Sequence, residues 1–423
     1  MELERKNGEW IKSGSCDLGL RRIKVADEKN GGEVKWVKTK VDLDNHVKIP
    51  MVDQHMASPD QFVEDYIANL TNTQISTSIP MWDVHILNLK TCDAESTLVI
   101  RVHHSLGDGT SLMSFLISCC RKTSEPDALT SFPAAKKSRP HTGWFWKFWS
   151  VLLLAWNTLV DIWMCVATTY FLKDTQTPLK APSRAVAFTS RRIVRRTFCV
   201  DDVILVKNAT NTKVNDVVLA ITQAGLSRYL NRKYGKCMGD GESWENNLPN
   251  SVRLTATLFI NLRSYPGIYA IAEMVKKHSQ TDWGNKIGYV LYPFKIALKD
   301  NPLDYIRDAK ATMDRKKATL EAQFRLFMAK LATFPLTTMW FSNVAGPQEE
   351  ISLFGNQVTF IAPSLYGQPV ALTIHIISYE KKISMVLSVD DNIIPDPYQL
   401  CDDFEEALKL VKKAVVAEGL IKK

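Results

Sequence analysis

Two histidines and an aspartate stand close together in His103-His104-Ser105-Leu106-Gly107-Asp108-Gly109. A neutral imidazole can take a proton from a hydroxyl near pH 7, and such general-base catalysis contributes roughly 10²–10⁴-fold when well placed. Because His103 and His104 are adjacent, an extended segment would point their rings to opposite faces, so one of them is the reagent. Asp108 reads as a brace for the loop, accepting backbone N–H groups or pairing with an arginine. The bland alternative is a structural histidine pair with satisfied hydrogen bonds. Competing chemistries lack their residues: Gly-x-Ser-x-Gly, a Gly-rich loop before a helix and His-Glu-x-x-His are all missing. His55, His85, His141, His278 and His375 show no metal-ligand spacing, so no metal site is expected.

The elements around this loop read as strand, turn and helix. Leu98 to Val102 is a β-branched run, Gly107 and Gly109 punctuate the loop, and Leu112, Phe115, Leu116 and Cys119 recur at helical spacing. Catalytic groups are commonly exposed at such handovers. Upstream, Arg22–Ala26 and Val34–Val37 flank Asn30-Gly31-Gly32 as a hairpin. Ser58 and Pro59 open a helix carrying Phe62, Tyr66, Ile67 and Leu70, with Ser58 as its cap, and Val84 to Leu89 is a strand. Downstream, Asp201 is expected to cap a short helix and Asn215-Asp216 to open a longer one through Leu230. Strands are predicted at Leu254–Leu262, after Trp283–Tyr289 and at Thr337–Val344, with a hairpin over Leu372–Val389. Pro302–Leu331 and Asp402–Val416 read as single amphipathic helices.

A chain of 423 residues, 45% hydrophobic and 23% charged, folds with a large core and divides into about two domains. The net charge of +8 favours anionic partners such as phosphates, CoA or a membrane surface. No basic block interleaved with aromatics suggests a nucleic-acid partner. The eight cysteines are scattered without a Cys-x-x-Cys, which fits a reduced compartment. Met1–Ser15 lacks an apolar core, so no secretory signal is read there, and the sequons at Asn69 and Asn208 read as chance matches.

Pro126–Pro140 reads as a surface linker. After it, Trp144–Leu172 holds five of the eleven tryptophans, Trp144, Trp146, Trp149, Trp156 and Trp163, in runs long enough to raise a transmembrane reading. Lys147, Ser150, Asn157, Asp161, Cys165 and Thr168 recur at steps of three, four and seven, which gathers them into one polar stripe against a broad apolar face. Such a helix lies in a bilayer interface, with tryptophans at headgroup level, more naturally than it crosses one. A helix of a hydrophobic substrate channel, a true span and an ordinary core helix are the other readings. Arg184, Arg191, Arg192, Arg195 and Arg196 border this stretch, either as contacts for anionic headgroups or as a solvated strand face.

His103–Gly109 resembles the HHxxxDG signature of CoA-dependent acyltransferases. Pro80-Met81-Trp82, Val214–Val218 around Asn215-Asp216, Asn261-Leu262-Arg263, Trp283-Gly284-Asn285 and Ser342–Pro347 resemble further motifs of the plant wax ester synthase/diacylglycerol acyltransferase family, in the same order. The resemblance runs from about Cys16 to the C-terminus. It implies an α/β fold of two chloramphenicol-acetyltransferase-like domains, each a mixed sheet with flanking helices and with the active site at their interface. The domains are expected at 1–180 and 181–423. Family members begin with a further segment that includes a PLSP motif, and Met1–Ser15 does not resemble it, so a truncated or alternatively started product is expected.

The implied reaction moves a long-chain acyl group from acyl-CoA to a fatty alcohol or diacylglycerol. His104 is then the general base, with His103 and Gly109 beside it and Asp108 the brace. Asn215, Asp216, Arg263, Ser342 and Asn343 are substrate or oxyanion candidates, Asn215 as a donor and Arg263 as partner of Asp108. Acyl-CoA is a co-substrate, and no cofactor is expected. The implied partners are acyl-CoA, the acceptor and membrane lipid, and the implied location is the cytosolic face of the endoplasmic reticulum, with the plasma membrane second. A catalytically impaired lipid-binding member and a soluble acyltransferase for a small hydroxylated or aminated acceptor are the rivals.

Overall fold

A computed structural model describes residues 2–6, 9–13, 22–27, 33–125, 144–236, 245–263, 283–329 and 337–420. The strands in chain order are β1 (Glu2–Lys6), β2 (Glu9–Ser13), β3 (Arg22–Asp27), β4 (Glu33–Lys38), β5 (Val47–Lys48), β6 (Trp82–Leu87), β7 (Thr97–Val102) and β8 (Cys120–Lys122). They continue as β9 (Arg192–Cys199), β10 (Arg253–Asn261), β11 (Ile287–Lys295), β12 (Met339–Ala345), β13 (Ile351–Leu353), β14 (Asn356–Gln357), β15 (Leu372–Tyr379) and β16 (Lys382–Val389). The helices are α1 (Pro59–Thr71), α2 (Gly109–Ser118), α3 (Trp144–Tyr170), α4 (Val200–Ala209), α5 (Val214–Lys236), α6 (Leu303–Lys317), α7 (Glu321–Ala329) and α8 (Pro397–Ala417). The linker at Pro126–Pro140, the Asn30-Gly31-Gly32 turn, His141, His278 and the side chains of Trp146, Lys147 and Arg184 lie outside the described residues.

The chain forms two compact units. The first gathers Met1–Ala135, Arg263–Lys286 and Gly346–Ile361, and the second Lys136–Leu262, Ile287–Ala345 and Ala362–Lys423.

In the first unit β5, β6 and β7 form a mixed sheet, β5 parallel and β7 antiparallel to β6. Along β6 the inward positions are Asp83, His85 and Leu87, so two polar groups are buried and need partners. Arg101, opposite Asp83 in the β6–β7 register, supplies one by forking both carboxylate oxygens at 2.8 and 2.5 Å. Its remaining nitrogen reaches the end of α1 at the Leu70 carbonyl, 2.8 Å away. Here a cation meets a helix C-terminus, where it is favoured. His85 lies 3.2 Å from Asp83 and bonds the Tyr66 hydroxyl through Nδ1 at 2.7 Å. Burial pushes the His85 pKa down, against the pull of Asp83. This chain of contacts fixes β7, and β7 delivers the histidine pair.

The second unit is built on a six-stranded mixed sheet, in the order β11-β10-β12-β15-β16-β9. The β10–β12 and β12–β15 pairs are parallel and the others antiparallel. One face carries alternate residues such as Leu254, Ala256, Phe341, Ile374 and Leu387 into the core, where α5 and α8 contribute Val217, Leu226, Phe404 and Val411. Gly225 allows close packing here, since a Cβ at that position would meet the Phe404 ring at 2.2 Å.

Several boundaries differ from the sequence reading. Ser58 occupies the N-cap position of α1 without a side-chain capping bond, and Pro59 alone marks that start. Cys199 is the N-cap of α4, and Asp201 falls in its first turn. The expected single helix over Pro302–Leu331 is two, because Lys316 turns inward to Asp161 and Glu321 and the chain breaks at Ala318–Leu320 before α7 begins. The last helix starts at Pro397, five residues earlier than Asp402. The hairpin β15–β16 turns at Glu380, whose φ is 53°.

Candidate active site

Strand β7 ends at Val102, and His103 takes an extended backbone that caps a one-turn 3₁₀ helix over His104–Leu106. The His103 amide donates to the Met81 carbonyl at 2.9 Å, tying the strand end to the Pro80-Met81-Trp82 segment. The His103 Nδ1 accepts the Ser105 amide at 3.2 Å and lies 2.7 Å from the Ser105 hydroxyl. Its ring is therefore engaged in shaping the turn. His103 and His104 are both exposed, and the His104 backbone carbonyl accepts from the Asn285 side-chain amide at 2.9 Å.

Asp108 has the opposite environment. It is fully buried and is the N-cap of α2, its Oδ1 accepting the Ser111 amide at 2.9 Å. Oδ2 accepts from Arg263 Nη1 and from the Lys286 amide, both at 2.8 Å. Arg263 Nη2 continues to the Ser111 hydroxyl at 2.9 Å and the Gly284 carbonyl at 2.7 Å. With these contacts the carboxylate is committed to holding the loop and is shielded from any reacting group. Gly107 is close-packed against the same knot, since a Cβ there would meet the Ser111 Cβ at 3.0 Å. Gly109 is the first residue of α2 and is exposed.

The other sequence candidates lie in the second unit. Asn215 is in the first turn of α5 and exposed, and its Oδ1 accepts from the Asn343 side-chain amide on β12. Asp216 is buried and accepts the Lys213 amide at 3.0 Å, so Asp216 rather than Asn215 closes the start of that helix. Ser342 precedes Asn343 on β12 and pairs in register with His375 of β15. The first unit thus brings together His103, His104, Asp108, Gly109 and Arg263, and the second Asn215, Asp216, Ser342 and Asn343. Ser111 and the backbone of Gly284–Lys286 were not singled out from sequence. The Trp283-Gly284-Asn285 motif was the signal that could have found them.

Helix α3 inverts the usual amphipathic arrangement. Asn157 and Thr158 bond the α6–α7 connection, through the Ala318 carbonyl at 3.3 Å and the Leu320 amide at 3.0 Å. Asp161 is fully buried and meets Arg315 at 2.8 Å and Lys316 at 3.0 Å. Burial alone would raise the Asp161 carboxyl, but the two cations hold it below its ordinary value. Lys316 also reaches Glu321 at 2.6 Å, and Glu321 reaches Arg325 at 2.6 Å. The polar stripe from Asn157 onward therefore faces the protein, while Trp144, Trp149, Trp156, Leu159 and Trp163 are each at least half exposed. Phe148–Thr168 is long and apolar enough to cross a membrane.

Among the described residues, the arginines of this run have partners. Arg191 is buried and donates to the Val186 and Gln368 carbonyls, Arg192 pairs with Asp391, and Arg196 pairs with Asp402 and Glu405. Three of the five arginines thus have partners inside the second unit.

Residues 19–218 match the wax ester synthase/diacylglycerol acyltransferase catalytic domain, and residues 283–412 match the WS/DGAT C-terminal domain. The chain is 44% identical to wax ester synthase/diacylglycerol acyltransferase 5 of Arabidopsis thaliana, over 91% of this chain and 82% of that protein. It is 43% identical to wax ester synthase/diacylglycerol acyltransferase 11 of the same plant, over 94% and 86%. Its fold is similar to that of the Marinobacter aquaeolei VT8 wax ester synthase/diacylglycerol acyltransferase, at TM-score 0.58 and 17% identity over 94% of this chain and 86% of that one. It is also similar to the starter condensation domain of rhizomide synthetase, solved with C8-CoA and Leu-SNAC, at TM-score 0.55 and 10% identity over 94% and 82%. The chain belongs to the wax ester synthase/diacylglycerol acyltransferase family, whose members are acyl-CoA-dependent O-acyltransferases.

Proposed function

We propose that His104 is the general base of an O-acyl transfer from a long-chain acyl-CoA to a fatty alcohol or diacylglycerol. The observation that carries this reading is the division of labour in the loop. His103 and Asp108 engage their side chains in shaping the loop, whereas His104, exposed like His103, is held through its backbone carbonyl. His104 takes the proton of the acceptor hydroxyl as its oxygen attacks the thioester carbonyl. The tetrahedral oxyanion collapses with cleavage of the C–S bond, and the imidazolium returns the proton to the departing CoA thiolate. Every electron pair is accounted for without a covalent acyl-enzyme or a cofactor. Asn215, Asp216, Ser342 and Asn343 are proposed as substrate contacts on the second unit. There, accepting from Asn343 leaves Asn215 its own amide N–H groups to donate. A donor aimed at a developing oxyanion contributes roughly 3–4 kcal/mol.

The apolar face of α3 supports membrane association, and we propose the cytosolic side of the endoplasmic reticulum as the location. Its polar stripe is docked onto the second unit by Asp161, so the helix is proposed to lie along a leaflet and not to cross it. Acceptors that partition into lipid would then be met at the surface where they reside. Purified protein given palmitoyl-CoA with hexadecanol or dioleoylglycerol in mixed micelles should release free CoA and form the corresponding ester. Absence of ester with either acceptor would contradict the reading.

A further inference from the structure

The segment Trp283–Lys286 bonds the histidine loop at His104 and Asp108 and packs on the first turns of α2. Its first residue, Trp283, sets its ring edge-on to Phe115 of α2, with centroids 6.4 Å apart. Gly284 adopts φ 108°, a backbone that disfavours any side chain, and this turns its peptide groups inward. Its carbonyl accepts from the Ser111 hydroxyl at 3.0 Å and from Arg263, and its amide donates to Ser111 at 3.2 Å. The Lys286 amide donates to Asp108. Between these two, the Asn285 side chain donates from Nδ2 to the His104 carbonyl at 2.9 Å.

We infer that Asn285 is a positioning residue that sets the orientation of His104 through its backbone carbonyl, with Gly284 and Lys286 fixing the turn that presents it. Its contact is to the one residue of the loop whose ring is left for chemistry. The Asn285 side chain is exposed, so its contribution to folding is small, whereas His104 sits in a one-turn 3₁₀ helix that a few bonds must hold. A base must lie within hydrogen-bond reach of the proton it removes, and an error of about 1 Å can cost on the order of 100-fold in rate. A lost amide bond at the His104 carbonyl lets the peptide unit rotate and carries the ring with it.

This inference rests on His104 as the base, and the test separates the two. Wild type, His104→Ala, Asn285→Asp, Asn285→Ala and Asn285→Gln are compared in acyl transfer from palmitoyl-CoA to hexadecanol, with melting temperatures measured alongside. Asn285→Asp keeps the shape and replaces the donor by an acceptor facing the His104 carbonyl. It should lower kcat by about 10- to 100-fold, with KM for palmitoyl-CoA within about twofold and the melting temperature unchanged. Asn285→Gln, which keeps an amide donor, should recover part of the loss relative to Asn285→Ala. If Asn285→Asp and Asn285→Ala retain kcat within about twofold while His104→Ala is inactive, the positioning role is wrong and the base stands. A kcat loss that follows a fall in melting temperature would equally overturn it, as a folding effect. If His104→Ala is as active as wild type, the base assignment itself fails.

Discussion

Two fully buried carboxylates, Asp108 in the first unit and Asp161 in the second, are each answered by an arginine or lysine within 3.0 Å. In other respects they differ. Asp108 caps α2 and gathers Ser111, Arg263 and Lys286 around a loop whose neighbouring imidazole is exposed. Asp161 gathers Arg315 and Lys316 beneath a helix whose opposite face is a row of exposed tryptophans and leucines. Both are carboxylates taken out of water, where an uncompensated charge is costly, so both fix a geometry rigidly. One geometry presents a polar ring, and the other presents an apolar surface. Each buried ion pair thus fixes the face that carries a proposed function without being part of that face.

The comparison breaks first at Asp108. Asp108→Asn should cost about 3–5 kcal/mol of stability by leaving the Arg263 guanidinium without its counter-ion, and should abolish turnover. Adding Arg263→Met should restore part of the stability but none of the turnover, which thermal melts and ester assays on the double variant will read. Asp161→Ala should cost about 3 kcal/mol, since Lys316 keeps Glu321, while detergent-solubilised turnover falls far less than in Asp108→Asn. Replacing Trp149, Trp156 and Trp163 by Ser should leave stability unchanged and weaken co-sedimentation with phosphatidylcholine vesicles by on the order of tenfold or more. Because Arg191, Arg192 and Arg196 are engaged internally, that binding should be nearly insensitive to salt and to added anionic lipid.

The smallest effect concerns His375, whose Nδ1 has no hydrogen-bond partner among the described residues and whose pKa burial pushes down to about 4. The unfolded chain then binds a proton between pH 6.5 and about 4 that the folded chain does not. Stability should therefore fall as pH drops through that window, with a slope of at most about 1.4 kcal/mol per pH unit from this group. Denaturant melts of His375→Phe should lose that part of the slope.

Local pattern carried most of the elements. The β-branched run at Thr97–Val102 is the strand it reads as, and the Leu372–Val389 hairpin follows from alternation around a charged turn. Misreadings arose where a distant partner decides. The stretch Pro302–Leu331 has helical periodicity throughout, yet it breaks because Lys316 is drawn to Asp161, 155 positions away in sequence. The arginines near residue 192 look like a basic surface because their acidic partners, Asp391, Asp402 and Glu405, come about 200 residues later. The same limit hid the contacts of Ser111, which exist only once Arg263 and Gly284 are folded against the histidine loop. On α3 the stripe itself was legible, but not that it would be turned toward the protein, which Arg315 and Lys316 decide.

The most direct measurement pairs His103→Ala with His104→Ala, recording kcat for acyl transfer and melting temperature on each. If His104 is the base as proposed, His104→Ala should lower kcat by roughly 10²–10⁴-fold with an unchanged melting temperature, because its bond to Asn285 runs through the backbone carbonyl that alanine keeps. His103→Ala should lose thermal stability through the Ser105 contacts and retain more turnover than His104→Ala. Turnover within about twofold of wild type in His104→Ala would contradict the assignment of the base.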